Sequence, residues 1–472
     1  MAMKKFPVGL FYPKNVAIIG SVEKGGWLER VKQFKGKVYG VKISVKEKLI
    51  GNGIEWYHSI LDIPGEVDYA ILSVPADSVK DVLSECIEKR VKVVCIFSSG
   101  FSESGDDGKM REKELYDLAR NGATKVIGPN CIGLHNGEIG ISLSYRDEEE
   151  LGKGNIAFIS QSGGITENFF TVSETYGIKF GKGVSFGNAC LLDFHDFLDC
   201  FSDDEDTEII AGYIEGIKDG RKLMDSLKNT TPKKPVIIWK AGRSEAASRA
   251  AGSHTGALTG SKEVWETVFT QYNVVEAKSF KELLELVMSF DKLPPSKGKN
   301  VFLMSISGGM GVELTDSFSE VGFCVPELSR DVQERISRGV ESVGTSVKNP
   351  IDLAMSWVYP GVIKNIISVI EEDTSIDLVV LHIDLHRETW MGRYIASDEH
   401  TMMDVLKDDI FDAHEKIRKP LALILSPTSE EELKINLKKE FLGENIPVYD
   451  DPFSAAKAIK KVVNYREISN LL

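Results

Sequence analysis

Of the eight histidines in the chain, His254 stands in the setting best suited to chemistry. It lies in A-A-S-R-A-A-G-S-H-T-G-A-L-T-G-S (246–261), rich in Ala, Ser, Gly and Thr, with Gly252 and Gly256 on either side. Such a segment lets an imidazole be approached closely, which favours a functional histidine over a packing one. A nucleophilic imidazole needs a partner on its other ring nitrogen to fix tautomer and orientation. Glu215, closing the apolar run E-I-I-A-G-Y-I-E (208–215), is the best-placed carboxylate.

Phosphate-binding signals come in three places. S-Q-S-G-G (160–164) follows one apolar run and precedes a helical stretch, so Ser160, Gln161, Ser162, Gly163 and Gly164 are candidate phosphate contacts. S-I-S-G-G-M-G (305–311) repeats the pattern and adds Ser307, Gly308 and Gly309. Small residues at a helix start expose free N–H donors, and the dipole favours an anion by about 0.3–2 kcal/mol per helix end. Two such ends aimed at one dianion are expected to make a strong site.

The third signal is G-S-V-E-K-G-G (20–26), directly after the first apolar run. Gly20, Ser21 and Val22 form a turn whose backbone can approach a phosphate. Lys42 stands after the next run, where a dinucleotide fold places an acid for the ribose 2′-hydroxyl. A cation there suits a phosphorylated ribose, either the 3′-phosphate of coenzyme A (CoA) or the 2′-phosphate of NADP. Ser73-Val74-Pro75, Ser98-Ser99-Gly100 and Asn130 of G-P-N lie at or just beyond the ends of later runs, where open α/β sheets bind ligands. H-I-D-L-H (382–386) puts His382, Asp384 and His386 on one strand face. A metal site is the less favoured reading, because the repeat aligns Asp384 with Glu215 and points to a vestigial or complementary half-site.

These residues need parallel sheets to hold them. Short apolar runs at 16–20, 37–41, 68–74, 91–97 and 125–127 alternate with amphipathic stretches such as 77–89 and 109–120. This βαβ alternation predicts an α/β protein of three Rossmann- or flavodoxin-like parallel-sheet domains. The expected spans are 1–150 for ligand binding, 151–292 with the histidine loop, and 298–472, with D-K-L-P-P-S-K-G-K-N (291–300) as linker. N-I-A-F-I-S-Q-S-G-G (155–164) matches N-V-F-L-M-S-I-S-G-G (300–309), and K-P-V-I-I-W (234–239) matches K-P-L-A-L-I (419–424). The second and third domains therefore read as a duplication. The segment carrying His254 is a surplus found only in the first copy.

The chain has 472 residues, 42% hydrophobic, with a net charge of −14. That balance, without a basic tract, argues against a nucleic-acid backbone or an anionic membrane as partner. No apolar run approaches the ~18 residues of a membrane span. The start lacks a signal-peptide pattern, so a cytoplasmic location is expected. None of the six cysteines is spaced C-x-x-C, so neither zinc nor a disulfide framework is expected.

The motifs together resemble the NDP-forming acyl-CoA synthetases, in their ADP-forming, acetyl-CoA-using branch related to succinyl-CoA synthetase. The carriers are V-A-I-I-G-S (16–21), S-S-G-F (98–101), G-P-N-C-I-G (128–133), S-Q-S-G-G (160–164), S-F-G-N (185–188), Y-I-E-G-I (213–217), G-S-H-T-G-A-L (252–258), S-G-G-M-G-V (307–312) and N-P-I-D-L (349–353). They cover essentially the whole chain. Ser307 and Met310 depart from the N-x-G-G-P-G with which the family's third domain often begins. The resemblance implies a CoA-binding first domain, His254 as phosphohistidine and Glu215 as its orienting carboxylate. It implies the reaction acyl-CoA + phosphate + ADP ⇌ acid + CoA + ATP, by way of an acyl phosphate. Neither a P-loop nor an ATP-grasp domain is recognisable, so ADP/ATP and Mg2+ are expected on a separate ATP-grasp β subunit, in an α2β2 assembly. A non-catalytic CoA-sensing scaffold and an NADP-dependent oxidoreductase are the alternatives.

Overall fold

The computed structural model describes residues 6–21, 26–42, 49–51, 54–143, 154–244, 246–247, 261–340, 344–354, 356–385 and 402–469. His254, Val22 and His386 lie outside the described residues. The chain packs as two compact units, Met1–Glu174 with Ile178–Leu283, and Thr175–Gly177 with Leu284–Leu472. Three mostly parallel sheets carry the architecture, two in the first unit and one in the second.

The first sheet contains β1 (Asn15–Gly20), β2 (Lys37–Val41), β3 (Leu49–Gly51), β4 (Ile54–Tyr57), β5 (Tyr69–Ser73), β6 (Val93–Ile96) and β7 (Lys125–Ile127). Its order is β3-β4-β2-β1-β5-β6-β7, with only β3 antiparallel. The chain builds outward from β1 on one side through β2 and β4, then restarts at β5 on the other. Such a reversal leaves a crevice at the carboxyl ends of the strands. β1 and β5 read as near-continuous apolar runs because helices cover both faces of a parallel sheet. The covering helices include α1 (Trp27–Arg30), α2 (Ala76–Glu88) and α3 (Asp106–Ala119). Val79, Leu83 and Cys86 fall on one stripe of α2 and are fully buried in the core.

The second sheet contains β8 (Gly133–Asn136), β9 (Ile156–Ser160), β10 (Phe180–Ser185), β11 (Ile209–Ile214), β12 (Val236–Lys240) and β13 (Val275–Ala277), in the order β13-β12-β11-β9-β10-β8. β8 alone is antiparallel, against β10. Among its helices are α4 (Gly163–Ser173), α5 (Phe194–Ser202), α6 (Gly220–Thr230) and α7 (Lys262–Gln271). An aromatic core of Phe158, Phe169, Phe170 and Phe180 locks α4 onto β9 and β10.

The third sheet, in the second unit, orders β14 (Val301–Ser305), β15 (Ile351–Asp352), β16 (Leu378–Ile383), β17 (Leu421–Leu425) and β18 (Val448–Tyr449) as β15-β14-β16-β17-β18. Setting β9 to β13 against β14 to β18 gives the same order in both sheets, as the sequence repeat predicts. The register agrees to the residue. Ser160 pairs with Tyr213 in one sheet and Ser305 with His382 in the other, so Glu215 and Asp384 each stand two residues further on. Among the described residues no helix is long and apolar enough to cross a membrane.

Candidate active site

The turn from β9 into α4 is built by its own serines. Ser160 Oγ donates to the Ser162 carbonyl at 2.9 Å and accepts from Ser162 N–H at 3.2 Å. Ser162 caps α4 by accepting from Ile165 N–H at 3.3 Å. This leaves Gly163 and Gly164 as the first helical residues, half-buried and exposed respectively. Their N–H groups have no acceptor within the helix, as at every helix start. The sequence repeat reproduces the turn: Ser305 Oγ donates to the Ser307 carbonyl at 3.0 Å and accepts from Ser307 N–H at 3.1 Å. Helix α8 (Gly308–Glu320) then begins without a side-chain cap. The carboxylate of Asp352 lies beside it, so near that a Cβ on Gly308 would meet Asp352 Oδ2 at 2.7 Å. The α8 start therefore already faces a carboxylate, and the α4 start is the better anion site of the two.

Gln161 ties the α4 turn to the end of β11. Its carboxamide Oε1 accepts from Glu215 N–H at 2.8 Å and from Gly216 N–H at 3.0 Å. Glu215 is buried, at 7% exposure. Its Oε1 accepts from the Tyr213 hydroxyl at 3.1 Å, and burial beside that carboxylate pushes the Tyr213 phenol up. Its Oε2 is buried with no hydrogen-bond partner among the described residues. A buried carboxylate oxygen left open costs desolvation without return, so it is poised for a donor such as an imidazole N–H.

Lys240, the last residue of β12, completes the cluster. It is 2% exposed, and its ammonium donates to the Glu215 carbonyl at 2.9 Å and to the Ala241 carbonyl. The Trp265 ring stands 5.3 Å from it. Burial pulls its pKa down to about 8, against the opposing pull of Glu215 and with help from Arg243. Lys240 thus pins the ends of β11 and β12 together where the segment carrying His254 begins. Sequence reading did not single out Lys240 or Tyr213.

The equivalent positions of the third sheet hold different chemistry. His382 is fully buried, its Nδ1 3.4 Å from Ser305 Oγ and its Nε2 2.5 Å from Ser426 Oγ. Burial pushes its pKa down to about 4, with Asp384 opposing. Both ring nitrogens are committed to serines, which fits a neutral packing histidine rather than a metal ligand. The described residues contain no group of His, Cys, Asp or Glu that could hold a metal ion.

A cavity of about 1050 Å3 opens at the carboxyl ends of the first sheet. Gly20, Ser21, Lys42, Ser73, Val74, Pro75, Ser98, Ser99 and Asn130 all line it, as the sequence reading expects. Gly20 is obligatory: at φ +99° a Cβ would meet the Ser73 carbonyl oxygen at 2.3 Å, so the turn can cross the tip of β5 only with glycine. The Ser98 hydroxyl is spent on holding the strand ends, bonded to the Val74 backbone. Gly100 is not among the lining residues, and its N–H is taken by Glu103 Oε1 at 2.6 Å. Missing from the sequence reading are His58, Ser59 and Ile60 beyond β4, and Val82 and Glu85 on α2, which close the cavity's far wall.

The family of CoA binding domains matches residues 14–137, and the succinyl-CoA ligase like flavodoxin domain matches residues 153–290. The acetate–CoA ligase (ADP-forming) II subunit alpha of Pyrococcus furiosus is 39% identical, over 73% of this chain and 76% of its own length. The subunit alpha of isoform I from the same organism is 34% identical over 97% of both chains. This chain belongs to the ADP-forming acetate–CoA ligase family. The structure of a dinucleotide forming acetyl-coenzyme A synthetase 1 from Ca. Korarchaeum cryptofilum, in complex with phosphate and ADP, superposes with a TM-score of 0.82 at 28% identity. It covers 98% of this chain and 97% of the other. Membership in a ligase family removes the support for the oxidoreductase and scaffold alternatives.

Proposed function

We propose that this chain is the α subunit of an ADP-forming acyl-CoA ligase, with acetyl-CoA the favoured substrate, and that it carries the reaction as far as a phosphohistidine. CoA lies in the first-sheet cavity with its thiol toward the second sheet. A phosphate oxygen attacks the thioester carbonyl, the C–S bond breaks, and the CoA thiolate leaves to take up a proton. An imidazole nitrogen of His254 then attacks phosphorus, the P–O bond to the acyl group breaks, and the free carboxylate departs. Glu215 accepts the N–H of the other ring nitrogen and stabilises the positive charge the ring acquires. Ser162, Gly163 and Gly164 at the α4 start cradle the phosphoryl oxygens, with Ser160 and Gln161 shaping the turn. Ser307, Gly308 and Gly309 are the weaker phosphate candidate because Asp352 stands beside them. Phosphoryl transfer depends on positioning and charge neutralisation more than on covalent machinery.

The observation that carries this reading is the open, buried Oε2 of Glu215, held next to the α4 turn by Gln161. ADP and Mg2+ are assigned to an ATP-grasp β subunit, in an α2β2 assembly by the general preference for closed two-fold symmetry. The near-complete match to a relative named subunit alpha supports a separate partner. Intact mass after incubation of the chain with acetyl-CoA and phosphate tests the proposal. One added phosphoryl group is expected, with no ATP from added ADP and Mg2+ until the β subunit is supplied. Absence of the phosphoryl group in the complete assembly would refute the reading.

Lys42, exposed at the cavity edge one residue beyond β2, is assigned to the 3′-phosphate of CoA. A charge-assisted contact of about 1.5–3 kcal/mol predicts that Lys42→Ala weakens CoA by about tenfold or more while dephospho-CoA binds nearly as before. Equal losses for both ligands, measured by calorimetry, would remove Lys42 from that role.

A further inference from the structure

We infer that Glu85 is the residue that reads the base of the bound CoA, by accepting a hydrogen bond from the 6-amino group of adenine. The inference rests on the CoA reading of the first-sheet cavity. It starts from a charge that is otherwise out of place. CoA is an anion through its phosphates, yet its proposed cavity is lined by a carboxylate. That carboxylate is fixed: Ser59 Oγ donates to Glu85 Oε2 at 2.6 Å, while the same hydroxyl accepts from Leu61 N–H at 3.1 Å. The bond joins the residues beyond β4 to helix α2 and closes one end of the cavity.

The order of the strand ends determines which part of the ligand reaches that wall. The lining residues follow β4, β2, β1, β5 and β6 across the sheet, from His58 and Ser59 at one end to Ser98, Ser99 and Asn130 at the other. The Asn130 end is the one that joins the second sheet. Asn188 N–H donates to the Pro129 carbonyl at 3.0 Å, Cys190 N–H donates to the Gly128 carbonyl at 2.8 Å, and Ile132 N–H donates to Ser185 Oγ at 3.3 Å. A Cβ on Gly163, the first residue of α4, would come within 3.6 Å of Ile132. A thioester that must meet phosphate at the α4 start therefore enters past Asn130. The nucleotide is left at the opposite end. In this class of sheet the ribose lies at the end of the second strand, here Lys42, so the base lies beyond it. There it meets the half-buried side chain of Val82, which suits an aromatic ring, and the carboxylate of Glu85.

An ionised carboxylate only accepts hydrogen bonds. Phosphate oxygens and ring nitrogens of adenine offer it nothing, whereas the 6-amino group offers an N–H. A 6-oxo purine presents an oxygen at that place and is repelled. Glu85 thus keeps the phosphates away from the far wall and selects adenine over hypoxanthine.

Calorimetry with the full-length chain, CoA and its hypoxanthine analogue tests this. The wild type is expected to bind CoA about tenfold or more tightly than the analogue, which forfeits a charge-assisted hydrogen bond and sets an oxygen against the carboxylate. Glu85→Gln is isosteric on a half-exposed helix face and can present either an oxygen or an N–H. It should keep CoA binding within a few-fold while the preference falls toward unity. Ser59→Ala, which frees the carboxylate, should lower the preference less. A preference unchanged in Glu85→Gln, or absent from a wild type that binds CoA, overturns the assignment of Glu85 alone. Failure of the wild type to bind either ligand overturns the CoA reading and this inference with it.

Discussion

Alanine at position 254 is expected to abolish phosphoenzyme formation completely while leaving CoA binding at its wild-type value. No other histidine in the described structure is hydrogen-bonded to Glu215, the carboxylate assigned to orient the nucleophile. The His135 ring is buried, with its Nδ1 accepting from Leu143 N–H at 3.3 Å, and burial pushes its pKa down to about 3. The buried His195 lies on α5 with Nε2 3.4 Å from Asp196. His382 is clamped between two serines in the other unit. His58 lines the end of the first-sheet cavity just beyond β4. None of these four rings, nor that of His414, is a partner of the Glu215 carboxylate. Intact mass after incubation with acetyl-CoA and phosphate, together with acid lability of the label, reads the result. Normal acid-labile phosphorylation of His254→Ala would mean that another residue receives the group. Because CoA binding is measured on the same sample, loss of label is distinguishable from loss of fold.

Much of the frame that positions this chemistry is legible as apolar runs. β1, β2, β5, β6 and β7 fall within a residue or two of the runs that announce them, because a strand buried on both faces has nowhere to put a polar side chain. β4 is different. I-E-W-Y mixes polar and apolar residues over four positions near the sheet edge, so it carries no such run. With β4 unread, the rule that ligands gather beyond strand ends could not reach His58 and Ser59. Glu85 was hidden for another reason: on α2 it reads as an ordinary half-exposed helix acid until Ser59 is brought to it from 26 residues away. β8 offers only G-L-H-N, and its antiparallel place on the second sheet depends on tertiary pairing with β10.

The candidate site shows the same division. Ser160 to Gly164 are legible because one short segment makes its own turn and helix cap. Glu215 is legible as the residue that closes an apolar run, one beyond the end of β11. Its isolation is not, since Gln161 and Tyr213 satisfy the surrounding backbone and one carboxylate oxygen but leave the other bare. That is a property of side chains converging from β9, β11 and β12. The repeat makes the point from the opposite direction. Asp384 occupies the position of Glu215, yet the residue two before it is His382 rather than Tyr213, and the strand end opposite is Leu425 rather than Lys240. One duplicated frame carries an open carboxylate beside a buried cation in one copy and a serine-bound histidine in the other.

Glu215→Gln should slow phosphorylation of His254 by about a hundredfold or more and leave the CoA dissociation constant unchanged. The amide keeps the volume and can still accept from Tyr213, but it cannot offset the charge on an imidazole that is gaining a phosphoryl group, and it can present an N–H where an acceptor is required. Lys240 supplies an independent handle on the same carboxylate. Its pKa of about 8 lies below that of a free lysine because burial disfavours the charge, so it is an ammonium below about pH 8 and a neutral amine above. Deprotonation removes the charge assistance from its bonds to the two carbonyls and takes a positive charge from beside Glu215. The rate of phosphorylation should therefore fall as pH rises through about 8, beyond any change in the Glu215→Gln background. Lys240→Arg, which stays charged, should remove that limb of the profile. Single-turnover labelling from acetyl-CoA and phosphate across pH 6 to 10 measures both effects. A Glu215→Gln rate within a few-fold of wild type, or a large rise in its CoA dissociation constant, would place this carboxylate outside the histidine chemistry.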